Sequence, residues 1–300
     1  MIPDATSEGT VAFRDWKTWY RISGDLSTGV TPLVVAHGGP GCTHDYVLSI
    51  AALSERGRPV IHYDQLGAGN STHLREKGAD FWTVQLFLDE LDNLLEKLAI
   101  KDNYHLLGQS WGGMLGAEHA IRQPEGLRSL VISNSPASMT LWVAEAKKLR
   151  AAMPKEERDA LDRHEAAGTT DDPEYLAATA AFYARHVCRV VPNPPEVLRT
   201  EEHLLNDPTV YHAMNGPNEF FVIGTLRDWT VVDKVQQISV PTLLASGRYD
   251  EATPATVQPY FDAIPDVRWE IFEASSHMPF VEEPERYLEV VGAFLAQFDG

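Results

Sequence analysis

One short stretch constrains this chain more than any other: Leu106-Leu107-Gly108-Gln109-Ser110-Trp111-Gly112-Gly113. An apolar run ending in glycine, then a serine, then a glycine pair, is what a buried strand needs to turn sharply into a helix with one hydroxyl at the apex. A side chain at Gly108 or Gly112 would crowd such a turn, and Ser110 has to adopt an unusual φ/ψ. The Gly-x-Ser-x-Gly pattern also arises by chance in loops of small residues. The rest of the chain must therefore supply what a reactive serine needs.

Around this turn, strand and helix signals alternate. Val11 to Arg14 and Lys17 to Ile22, with Asp15-Trp16 between them, read as an opening antiparallel pair. Pro32-Leu33-Val34-Val35-Ala36 is a short continuous apolar run of the kind a central parallel strand shows, and His37-Gly38-Gly39-Pro40-Gly41 follows at once. Such a loop can turn backbone N–H groups towards a ligand with no side chain in the way. Pro59 to Tyr63 is the next strand and runs into Asp64-Gln65-Leu66-Gly67-Ala68-Gly69-Asn70-Ser71, read as a structural loop on the same edge. Val84, Phe87, Leu88, Leu91, Leu94, Leu95 and Leu98 fall on one helix face. Tyr104 to Leu107 enters the turn, Trp111 to Gln123 continues as a helix closed by Pro124, and Leu130 to Ser133 is another strand.

That rhythm predicts a mostly parallel central sheet flanked by helices. It breaks between Ser135 and Gln237, where polar, Ala-rich helical segments are punctuated by prolines and no sheet-core strand is evident. Sheet signals resume with Val240 to Gly247 and Trp269 to Phe272, and an amphipathic helix runs from Pro284 to Phe298. The expected division is a core of residues 1–134 and 238–300 with an inserted helical cap of residues 135–237.

A serine hydroxyl becomes a useful nucleophile only when a positioned base takes its proton and an acid orients the base. After such a turn, the partners follow in the order carboxylate, then histidine, on loops at the carboxyl ends of strands. Of the 11 histidines, only His277 lies after the sheet resumes, just past the last strand, and it is the expected base. Asp250, in Gly247-Arg248-Tyr249-Asp250-Glu251, is the expected acid. Glu251 is the adjacent alternative, although neighbouring loop side chains point apart. Asp262 and Asp266 sit in a helix-like segment and near a turn, where solvation explains them. The oxyanion donors expected from this motif are the backbone N–H groups of Trp111 and Gly39.

Charge and cysteine content narrow the partners. The 25 Lys and Arg against 43 Asp and Glu give a net charge of −18, which would repel nucleic acid phosphates and anionic lipids. Two cysteines, Cys42 and Cys188, show neither a disulfide framework nor metal-ligand spacing. The first residues carry no basic, then apolar, leader pattern, and no long apolar run occurs. The reading is a cytoplasmic protein with no nucleic acid or membrane partner, no metal and no cofactor.

These motifs together resemble the α/β-hydrolases of the proline iminopeptidase group, in the branch of the tricorn-interacting aminopeptidase and L-amino acid amidases. The resemblance rests on His37 to Gly41, Asp64 to Ser71, Gly108 to Gly113, Met214-Asn215-Gly216-Pro217-Asn218-Glu219-Phe220 and Gly247 to Glu251, and it spans nearly the whole chain. It implies removal of an N-terminal residue, often proline or another apolar one, from short peptides or amino acid amides, with Glu219 and Glu251 gripping the free α-amino group. Two carboxylates suit an ammonium held away from water. From the bare sequence, Glu219 reads instead as a helix-surface glutamate. Trp82, Phe220, Phe221, Trp229 and Phe280 could wall a side-chain pocket, but each reads more simply as core. Two other readings remain open. One is an esterase, lactonase or acyltransferase using the same triad, and the other is a non-catalytic ligand-binding protein on this scaffold.

Overall fold

The computed structural model describes residues 2–299, so Met1 and Gly300, the outermost residues of the expected core segments, lie outside the described residues. Among the described residues eight strands form one sheet. They are β1 (Ser7–Phe13), β2 (Trp16–Ser23), β3 (Leu33–Ala36), β4 (Val60–Asp64), β5 (Tyr104–Gln109), β6 (Leu127–Ser133), β7 (Thr242–Gly247) and β8 (Val267–Phe272). Their spatial order is β1-β2-β4-β3-β5-β6-β7-β8. β1, β2 and β4 pair antiparallel, and every pairing from β4 to β8 is parallel.

The opening hairpin differs slightly from expectation. Its turn is Arg14-Asp15 and not Asp15-Trp16: Arg14 takes φ 53°, and Trp16 pairs with Phe13. Several other strands and helices are a few residues longer or shorter than their apolar signals, which mark the buried part of an element and not its ends.

Parallel strands covered on both faces need apolar residues on both faces, and here each strand splits its side chains by alternation. Val34, Ile61, Leu106, Ile132 and Leu244 join one core cluster, while Leu33, Val35, Val60, Leu107, Val131 and Leu243 join another. The first face is covered by α1 (Val84–Lys97), which Thr83 caps by accepting from Leu86 N–H, and by α2 (Trp111–Ile121). Burying each such Val, Leu or Ile side chain contributes roughly 1.5–3 kcal/mol.

Between β6 and β7 the chain makes α3 (Met139–Ala151), α4 (Lys155–Ala167), α5 (Pro173–His186), α6 (Pro195–Asn206) and α7 (Thr209–Met214). Among the described residues the only β pairing in this stretch is an isolated bridge, Ser138 to Thr230. Part of it has its own small core, in which Leu161, Tyr175 and Phe182 pack with Phe220. α6 rests on the 3-10 helix Asp45–Arg56, with Thr200 Oγ1 2.9 Å from Thr43 Oγ1 and Arg199 Nε donating to Asp45 Oδ1 at 2.8 Å. α8 (Pro254–Ala263) completes the first face of the sheet, and α10 (Pro284–Leu295), after the short α9 (Pro279–Glu282), completes the second with Tyr287 and Val291. The loops after β3, β4, β5, β6, β7 and β8 all leave the carboxyl edge of the parallel sheet, where such folds collect their chemistry.

Candidate active site

β5 ends at Gln109, and Ser110 caps α2 with φ 54° and ψ −121°, a conformation that residues with side chains seldom adopt. The turn is held by Ser110 N–H donating to Ser133 O at 2.9 Å and Gly113 N–H donating to Ser110 O at 2.8 Å. A Cβ on Gly108 would stand 1.9 Å from Gly112 O, and one on Gly112 would stand 2.1 Å from Ala36 O. Only glycine fits at either position.

Asp250 leaves the end of β7 and His277 the end of β8, and with Nδ1 protonated His277 donates to Asp250 Oδ1 at 2.7 Å. Asp250 is otherwise fully engaged. Its Oδ1 also accepts Ala252 N–H at 2.8 Å, and its Oδ2 accepts Asn134 Nδ2 at 2.6 Å. Gln109 Nε2 donates to His277 O at 3.1 Å, and the Trp142 ring stands edge-on to the imidazole at 6.0 Å. Burial disfavours a charged His277, but Asp250, Glu219 and Glu282 outweigh it and hold the imidazole above its ordinary range. Among the described residues no hydrogen bond joins Ser110 Oγ to His277; such contacts often tighten only with substrate in place.

Ser110, Gly39, Trp111 and Glu219 line one small cavity, walled on its apolar side by Met114, Met139, Trp142 and Leu226. Gly38 N–H is occupied, donating to Tyr46 Oη at 2.7 Å. By contrast, neither the Gly39 nor the Trp111 backbone N–H has a partner among the described residues. The aromatic residues Trp82, Phe220 and Phe280 are buried in three separate core clusters, and Phe221 and Trp229 pack against them. None of the five lines the cavity, whereas Trp142 does. Asp262 and Asp266 are exposed.

Glu219 and Glu251 are the unusual members. Tyr211 Oη donates to Glu219 Oε1 at 2.6 Å, and Trp142 Nε1 donates to the Glu219 carbonyl at 2.6 Å. Burial raises the Glu219 carboxyl above its usual range, against the pull of Tyr211 and His277. Glu251 is 2% exposed, and both of its carboxylate oxygens are buried with no hydrogen-bond partner among the described residues. Burial, then Glu219 and Asp250, push its carboxyl well up. An isolated buried carboxylate is costly, so its proton affinity rises until a cation arrives.

Sequence reasoning missed the side chains that tie these loops together. Gln65 joins both sides of the site: its backbone N–H donates to His37 Nε2 at 3.0 Å, its Nε2 donates to His37 O at 2.9 Å, and its Oε1 accepts Trp111 Nε1 at 2.8 Å. Tyr46 Oη donates to Gln109 Oε1, closing a second link between the glycine loop and the serine turn. Gln65 and Gln109 stood inside the recognised motifs, which was the available signal. Asn134, Tyr46 and Trp142 carried none.

Comparison with known proteins places this geometry. The α/β hydrolase fold family matches residues 31–284. The proline iminopeptidase of Clostridium botulinum is 39% identical over 295 residues, covering 98% of this chain and 99% of that protein. The crystal structure of VinJ superposes with a TM-score of 0.97 at 58% identity, covering 98% of this chain and 100% of VinJ. That of the proline iminopeptidase of Mycobacterium smegmatis gives 0.92 at 55% identity, over 98% and 99% of the two chains. The chain belongs to the α/β-hydrolases and, within them, to the proline iminopeptidase family. Among the described residues no helix is long and apolar enough to cross a membrane.

Proposed function

We propose that this chain is a serine aminopeptidase that releases an N-terminal residue, proline or another apolar one, from short peptides or amino acid amides. Ser110 attacks the carbonyl of the first residue, and His277 takes the hydroxyl proton and delivers it to the leaving amine. Asp250 fixes the imidazole, and the Gly39 and Trp111 N–H groups receive the oxyanion. Water then hydrolyses the acyl-enzyme by the same route. The helices of residues 135–237 act as a cap that brings Glu219 over the serine.

The observation that carries the amine requirement is Glu251, whose two buried oxygens have no partner among the described residues. An α-ammonium placed beside Glu251 and Glu219 supplies the missing charge and donors. A panel of aminoacyl anilides assayed beside their N-acetylated forms tests this. The expected result is a strong preference for the free amine; equal turnover of both would make the protein an esterase-like hydrolase with two bystander glutamates.

A further inference from the structure

Glu251 sits in the loop after β7 and Glu219 in the loop after α7, yet the backbone of each is held by the last turn of α5. His186 ends that helix, so its carbonyl has no partner within it, and it accepts Glu251 N–H at 3.2 Å. The imidazole of the same residue donates from Nδ1 to Tyr249 O at 2.8 Å. His186 therefore holds the chain on both sides of Asp250. Nearly one turn earlier in α5, Tyr183 Oη accepts Glu219 N–H at 3.2 Å.

Neighbouring contacts fix the Glu219 loop to the same helix. Tyr175 Oη accepts Asn218 Nδ2, and the Phe182 ring lies 4.7 Å from that of Phe220 and 4.9 Å from the His186 imidazole. The residues before and after Glu219 are thus both seated on α5. A helix rises about 1.5 Å per residue, which puts Tyr183 and His186 about 4.5 Å apart along the axis, a separation that changes only if the helix breaks.

We propose that the last turn of α5 is a spacer that sets the gap between the Glu219 and Glu251 carboxyl groups, with Tyr183 and His186 as positioning residues for the substrate's α-amino group. The proposal rests on the amine-grip reading and names what holds the grip in shape. Neither residue lines the cavity beside Ser110. A nitrogen shared by two carboxyls must lie about 2.7–2.9 Å from an oxygen of each, so a small shift of either loop forfeits one contact. Asp250 keeps its bonds to His277, Ala252 and Asn134, none of which runs through α5. Loosening the spacer weakens the amine contact and spares the triad.

The test measures kcat and KM separately for the p-nitrophenyl esters of alanine and of propionic acid, which differ only by the α-amino group. For the alanyl ester, KM should rise about tenfold in His186→Leu and about fivefold in Tyr183→Phe with kcat nearly unchanged, the mark of binding lost equally from ground and transition states. Both constants for the propionyl ester should stay within about twofold of wild type in the two variants. Asparagine offers an N–H donor where His186 Nδ1 stands, so His186→Asn should restore the alanyl KM. Equal losses for the two esters would overturn the spacer and leave α5 a general structural role. An alanyl KM unmoved in both variants would overturn it as well. Equal kcat/KM for the two esters in the wild type would instead remove the amine grip itself. Tyr183→Phe keeps the aromatic ring and decides the matter even if His186→Leu fails to fold.

Discussion

Asp250 and Glu251 are consecutive, both carboxylates and both buried, 1% and 2% exposed, yet they live in opposite circumstances. Asp250 accepts from His277, Ala252 and Asn134, while Glu251 accepts from nothing among the described residues. The difference separates two halves of the site. In the half built on strand ends the acid is fully hydrogen-bonded before substrate arrives, whereas in the half facing the helices of residues 135–237 the Glu251 carboxyl has no partner among the described residues. A protein tolerates an unpaired buried carboxyl at a cost in stability, and a ligand that supplies the partner recovers that cost as affinity.

The largest expected effects are in the completed half. Ser110→Ala should abolish turnover of an aminoacyl anilide, with kcat down by about 10⁵–10⁶, and retained turnover would remove the proposed nucleophile. Asp250→Asn should cost about 10⁴ in kcat, because the amide offers His277 the wrong hydrogen-bonding partner and tautomer. It should leave KM nearly unchanged.

Glu251→Gln sharpens the contrast with its neighbour. For free-amine substrates, kcat/KM should fall by about 30- to 5,000-fold, the 2–5 kcal/mol typical of truncating one partner of a buried charged pair. Thermal stability of the unliganded protein should rise, since an unpaired buried carboxyl is removed. A loss of stability in this variant, read by melting temperature, would mean that Glu251 has a structural partner after all.

How much of this contrast could be read from the chain depends on which distances a sequence can report. The serine turn was legible because sterics allow only glycine at Gly108 and Gly112, and the order Ser110, Asp250, His277 followed from strands that end on one edge. Asn134 was not legible: it reaches Asp250 only because β6 and β7 are neighbours in space, a pairing across more than a hundred residues. Trp142 was equally silent, since the position of α3 over His277 depends on how the helices after β6 pack, and helical periodicity says nothing of placement. As amine-binding groups, Glu219 and Glu251 come forward through family resemblance alone; a buried glutamate without partners has no local signature. The loop Asp64 to Ser71 reads as structural in the sequence, but Gln65 gives it a direct link to Trp111 and to His37, the first residue of the glycine loop.

Gln65 offers a middle-sized test of the completed half. Gln65→Leu removes two side-chain hydrogen bonds while keeping similar bulk, and should lower kcat about 10-fold, the effect of losing roughly 1–2 kcal/mol of organisation around the oxyanion donors. KM should move little. An equal rise in KM would indicate that the loop shapes the pocket and not the donors.

The smallest effect concerns a third buried carboxyl, Glu90, which stands between the two extremes. It accepts Thr18 Oγ1 at 2.5 Å and Leu66 N–H on both oxygens at 3.0 Å, so it is partly satisfied. Burial still outweighs these bonds and raises its carboxyl to about 7. Because the folded protein then holds a proton that the unfolded chain releases near pH 4.5, stability is greatest below the unfolded value and declines as pH rises through about 7. Melting temperature measured from pH 5 to pH 8 should therefore fall more in the wild type than in Glu90→Gln. Identical slopes would mean that the Leu66 and Thr18 donors satisfy Glu90 as completely as Asp250 is satisfied, leaving Glu251 as the one carboxylate of the three that waits for a partner.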